Sequence, residues 1–152
     1  MDRDQVNVLI SRLGEGLAIP DLALDEAGTC TLVIDNGAVI VNLGHNRSAG
    51  ALDLMTCLDR VELSAPNLMQ LLGANLGWRA TGGATFAVEP TSGAVMLQRR
   101  LTAGEVNEEG LKSALESLVV AAEVWTRRLT GDMAAASDGA QPAYPPVGSM
   151  RT

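Results

Sequence analysis

Aromatic residues, histidine, cysteine and positive charge are all scarce in this 152-residue chain: two Trp, one Tyr, one Phe, one His and two Cys, with 11 Lys or Arg against 18 Asp or Glu. Each shortage excludes something. The net charge is -7 and the pI near 4.6, and no basic run exceeds the pairs Arg99-Arg100 and Arg127-Arg128. Nucleic acid is therefore not expected as a partner, because phosphate binding needs concentrated positive charge. Cys30 and Cys57 are too few and too far apart for a disulfide framework or a metal site, so both read as reduced, small, buried residues of a cytoplasmic protein. No stretch approaches the 18 apolar residues of a membrane span, and the opening MDRDQVNVLISRLG carries acids where a signal peptide needs bases. With so few rings, aliphatic side chains must build the core of what its length suits best, one domain.

Groups able to do chemistry are equally thin. His45 lies in the polar stretch GHNRSAG and reads as an exposed residue of a loop. Neither cysteine has a histidine or a CxxC partner nearby. The GEG at Gly14 follows a helix and lacks the third glycine of a dinucleotide fingerprint, and TGGAT at Thr81 lacks the Lys-Ser/Thr of a phosphate loop. Asp25-Glu26 and Glu108-Glu109 have ordinary explanations as turn and helix-start acids. No catalytic residue, cofactor or metal is expected, and the chain does not read as an enzyme.

What is present is patterning. Val6, Leu9, Ile10 and Leu13 recur at helical spacing over 4–13, and Gly14 and Gly16 end that run. A short strand is expected at 22–24 and a tight turn at DEAG, then strands at 29–34 and 38–43 around DNG, a strong hairpin signal. Both faces of that hairpin are largely apolar, which a small antiparallel sheet with one wet face does not need. Residues 52–58 alternate as another strand. Ser64 caps a short helix carrying Leu68, Leu71, Leu72 and Leu76. Strands 84–88 and 95–101 flank the turn PTSG, and Asn107 caps a last helix whose stripe runs from Leu111 through Trp125 to Leu129. The order of helix, antiparallel strands, helix, two strands and helix is α+β. Residues 1–130 form the expected domain, and 131–152, poor in large apolar residues and holding half of the prolines, a disordered tail.

The stretch LISRLGEGLAIPDLALDEAGTCTLVIDNGAVIVNL resembles the opening of the class I type III secretion chaperones, the Tir-chaperone group. The likeness rests on Leu13-Gly14, Pro20, Leu22 and Leu24, then Asp25, Glu26 and Gly28, then Cys30 and Leu32. LLGAN from Leu71, GGATFAVEPTSGAVMLQRRL from Gly82 and the Glu123-Val124-Trp125 end of the last helix extend it to about Leu129. The resemblance implies a homodimeric secretion-chaperone-like fold in the bacterial cytoplasm. It further implies binding of an extended segment near the N-terminus of a secreted effector, which is kept competent for export without covalent chemistry. A dimeric adaptor or regulatory domain of the same fold, binding a folded partner, is the alternative.

On that basis Val6, Leu9, Ile10, Leu13, Val33, Val39 and Val41 belong either to the monomer core or to an effector groove. Leu68, Leu71, Leu72, Trp78, Val95 and Leu97 are the corresponding candidates for the dimer interface, with core as the alternative for all but Trp78, which follows a glycine at a helix end and reads as partly exposed. Sequence does not separate one face from the other.

Overall fold

A computed structural model describes residues 2–131. The tail expected at 131–152 lies, apart from Gly131, outside the described residues. Helix α1 spans Arg3–Gly16, β1 Thr29–Ile34, β2 Val39–Asn46, β3 Ala51–Cys57, α2 Ala65–Asn75, β4 Thr85–Val88, β5 Val95–Leu101 and α3 Glu108–Thr130. Short 3-10 turns stand at Asp35–Gly37 and Arg79–Thr81. The strands form one antiparallel sheet in the order β1-β2-β3-β5-β4, an α+β arrangement as expected.

Local chemistry sets the boundaries. Asp2 and Gln5 cap α1 reciprocally, the Gln5 amide donating to Asp2 Oδ1 at 2.9 Å and the Asp2 amide to Gln5 Oε1 at 3.0 Å. Gly14 does not end this helix. It lies inside α1, where a Cβ would stand 2.7 Å from the Ile19 carbonyl oxygen and 2.8 Å from Leu22 Cβ, so its bareness lets the following chain pack on the helix. Residues 22–24 form no strand and join no sheet, contrary to expectation. The Leu24 amide donates to Asn7 Oδ1 at 2.9 Å, and the Arg3 guanidinium donates to the carbonyls of Leu24 and Asp25. Side chains of α1 thus take main-chain groups that a ladder would have used. β2 runs on through His45 into what reads as loop, because Gly44, His45 and Asn46 pair with Asp53, Leu52 and Ala51. Ser64 and Asn107 cap α2 and α3 as the sequence indicates, with bonds to the Asn67 and Gly110 amides.

The core lies between the sheet's inner face and helices α1 and α3. Leu32, Val41, Leu43, Leu54 and Leu97 from the strands meet Val6 and Ile10 of α1 and Leu111, Leu115 and Leu118 of α3, all buried. Trp125 closes one end, edge-on to Phe86 at 5.1 Å between ring centroids. Thr56 is wholly buried on the same inner face, and its hydroxyl has no hydrogen-bond partner among the described residues. Leaving such a group unmet costs about 1–3 kcal/mol. Thr56→Val is expected to raise the denaturant midpoint by a comparable stability with an unchanged m-value; a lowered midpoint would show that the hydroxyl is satisfied.

Candidate functional site

Burial separates the expected surface residues into two groups. Val6, Ile10, Leu13, Val39 and Val41 are core, with Val41 and Ile10 wholly buried, so they have no surface to offer a partner and their place as groove residues is corrected. Leu9 is half-buried against the same cluster. Val33 alone of the set is well exposed, at 56%, because β1 alternates Cys30 and Leu32 inward and Thr31 and Val33 outward. Of the interface candidates, Leu71, Val95 and Leu97 are core and corrected likewise, Leu68 is half-buried, and Leu72 and Trp78 are exposed. Neighbours that sequence reasoning passed over, Val8, Ile40, Met69, Leu76 and Val88, are exposed.

Two apolar surfaces result. The first is the outer sheet face at its β1 end. Val33 pairs with Ile40 across β1 and β2, both pointing outward, and β1 is the last strand of the sheet. Its outer edge is open beyond Thr29, which Asp25 holds through bonds to the Thr29 amide and hydroxyl at 2.8 and 2.7 Å. The opposite edge is occupied. Asn75, at the end of α2, accepts from the Phe86 amide at 2.7 Å and donates to the Phe86 carbonyl at 3.1 Å, pairing with β4 as a neighbouring strand would. Among the described residues one edge is therefore blunted and the other free.

The second surface is α2. Its Met69 and Leu72, and Leu76 just past its end, project into solvent, and Leu68 and Leu72 lean over Phe86 and Val88 to enclose a small, almost wholly apolar groove. Trp78 is not part of it. Its indole lies instead against the outer sheet face beside Met55 and Thr85, donating from Nε1 to Thr85 Oγ1 at 3.1 Å.

The titratable groups serve structure. His45 lies on β2, half-buried, rather than exposed in a loop, and neither ring nitrogen has a hydrogen-bond partner among the described residues. Cys30 is buried but Cys57 is exposed, against expectation, because alternation along β3 turns it to the outer face. Burial, with nearby Asp25 for Cys30 and Asp59 for Cys57, pushes both thiols up and so away from the reactive thiolate. No group of three or more His, Cys, Asp or Glu able to hold a metal ion occurs among the described residues, and no described helix is long and apolar enough to cross a membrane.

Glu89 locks the β4-β5 turn by accepting from the Ser92 hydroxyl and the Thr91 and Ser92 amides, which brings its carboxyl from 4.5 down to about 2. Bonds from Thr102 lower Glu105, and bonds from Thr29 lower Asp25. A folded value below the unfolded one contributes stability that is complete above the unfolded value and lost as pH falls through the folded one. Melting temperature is expected to hold steady above pH 4.5 and to fall as pH drops toward about 2. Glu89→Gln should flatten that fall; an identical acid limb in the variant would contradict the assignment.

The family model described as "Tir chaperone protein (CesT) family" matches residues 8–126. A chain of the ExsC-ExsE complex superposes with a TM-score of 0.75 at 27% identity, covering 85% of this chain and 97% of that one. A chain of the HopA1-SchA chaperone-effector complex gives 0.65 at 18% identity, covering 86% and 98%. The Yersinia pestis type III secretion chaperone SycH, in complex with a stable fragment of YscM2, gives 0.64 at 20%, covering 79% and 98%. At those identities the last two likenesses speak to fold alone. Among curated protein sequences there is no significant match.

Proposed function

Because this chain belongs to the Tir chaperone protein (CesT) family, we propose that it holds a segment near the N-terminus of a secreted effector in extended form and keeps it competent for export. It is a type III secretion chaperone that binds effectors, in keeping with the family match. The family and its structural neighbours are chaperones, and the reading needs no covalent chemistry: the protein binds in the bacterial cytoplasm and releases.

The observation that carries the extended mode is the open β1 edge beside the exposed Val33-Ile40 pair. A strand added there gains main-chain hydrogen bonds, while alternate side chains reach the apolar pair. Ordering a flexible client offsets much of that gain, so many modest contacts spread over a large area are expected. Effector contacts in this reading thus fall to Val33 and Ile40, in place of the core residues named from sequence.

Self-association falls to α2. Leu68, Met69, Leu72 and Leu76, with Val88, form an apolar surface of the kind that a two-fold partner covers with its own copy. The test is purification from the native bacterium, followed by limited proteolysis and mass spectrometry of what stays protected. An N-terminal piece of a secreted protein on two copies of the chain supports the reading. Recovery of a folded cytoplasmic partner alone would favour the adaptor.

A further inference from the structure

On the open sheet face, away from both surfaces above, lies a concavity of about 390 Å³ around Trp78, Met55, Thr85 and Arg99. Its aromatic wall is rigid. Trp78 sits in the left-handed region at φ 53°, ψ 7°, a conformation that strains a bulky residue and persists only when its surroundings over-determine it. They do so here: the Trp78 carbonyl accepts from the Thr81 amide and hydroxyl and from the Gly83 amide at 3.1–3.3 Å. Trp125 donates from below to the Ala80 carbonyl at 2.9 Å. The indole is pinned a second time by Thr85, yet stays 55% exposed.

Beside it lies a cation with no carboxylate partner among the described residues. Arg99 donates to the Gly82 carbonyl at 2.9 Å, and its guanidinium rests against Gly83, where a Cβ would lie 3.5 Å from the guanidinium carbon. Arg100 spends its charge on Asp53 in a two-pronged pair at 2.6 and 2.9 Å. No carboxylate among the described residues lies within ion-pair distance of Arg99, and Glu105, engaged with Thr102, acts on it only at longer range. In a chain of net charge -7, a presented indole, an exposed thioether and a guanidinium that no described carboxylate neutralises make a site of a kind that interfaces favour.

We propose that this concavity is a second anchor for the effector segment, taking an apolar side chain against Trp78 and Met55 with an adjacent aspartate or glutamate on Arg99. The proposal rests on the chaperone reading and adds a sequence preference to it. Thr31, Asn42, Met55, Gln98 and Thr85 stand in one register row across all five strands, leading from the open β1 edge to the indole. Four strand spacings amount to about 19 Å, or about six residues of extended chain. The acidic anchor therefore follows or precedes the strand-adding residues by about that number.

The test is titration of the ¹⁵N-labelled protein with acetyl-Gly-Ser-Asp-Leu-Ser-Gly-amide and with the same peptide carrying lysine for aspartate, following the two indole signals. The acidic peptide should shift Trp78 Nε1–H saturably while the buried Trp125 signal stays still. Arg99→Gln should weaken it about tenfold, the effect of losing one charged hydrogen bond. Met55→Asp, which leaves the Gly82 latch in place, should weaken it too. Equal shifts with the lysine peptide, or no shift up to 5 mM (roughly the weakest binding worth the name), overturn the proposal. Capture of an effector from the native bacterium would still stand apart from either failure. A change of dimer mass in Trp78→Ala or Arg99→Gln would overturn it also, by giving this face to a second copy.

Discussion

Aspartate at both Val33 and Ile40 is expected to weaken binding of the effector segment by about 100-fold while the fold survives. The two side chains pair across β1 and β2 on the outer face and are 56% and 48% exposed, so their removal opens no cavity. Covering a Val or Ile contributes about 1.5–3 kcal/mol when it is complete, and each is half covered already. About 1 kcal/mol per residue is therefore recovered on binding, and the two charges facing an apolar client add about 1 kcal/mol more between them. The sum near 3 kcal/mol is about two decades in Kd. Calorimetry on the protease-protected client fragment measures it, with thermal melts confirming that each variant is folded. Unchanged affinity in a folded double variant would remove this strip from the binding surface.

Aspartate at Leu72 and Leu76 is expected to split the proposed homodimer. Both are more than 60% exposed, on α2 and just past its end, and in a two-fold interface each substitution occurs twice. Four leucines at about 1.5 kcal/mol or more apiece amount to about 6 kcal/mol, a loss of over four decades in the association constant. Light scattering at micromolar concentration should then report two chains for the parent and one for the variant, with helix content unchanged. A parent that is already monomeric, or a variant that stays dimeric, would contradict the α2 interface.

The elements were legible because local chemistry defines them: Ser64 and Asn107 at their helix starts, the DNG turn, and the alternation of 29–34 and 95–101. Residues 22–24 were misread as a strand because the groups satisfying their backbone, Arg3 and Asn7, belong to a helix distant in sequence. The site was harder for a different reason. Val39 and Val41 look as suited to a groove as Val33 and Ile40, and only the placement of α1 and α3 on one face decides that the first pair is core. Likewise LLGAN reads as one apolar run, although Leu71 packs inward and Leu72 stands in solvent. Arg99 beside Trp78 had no signal in sequence, since 21 positions separate residues that one loop and one strand bring together.

The central claim is that the client adds to the free edge of β1, and hydrogen exchange of the chaperone with and without the recovered effector fragment tests it most directly. Slowed exchange at the amides of 29–34, with smaller effects at 39–41 and little at β4, is the predicted result. Exchange in β1 that is unchanged by a fragment shown to be bound would contradict it and move the client to another face.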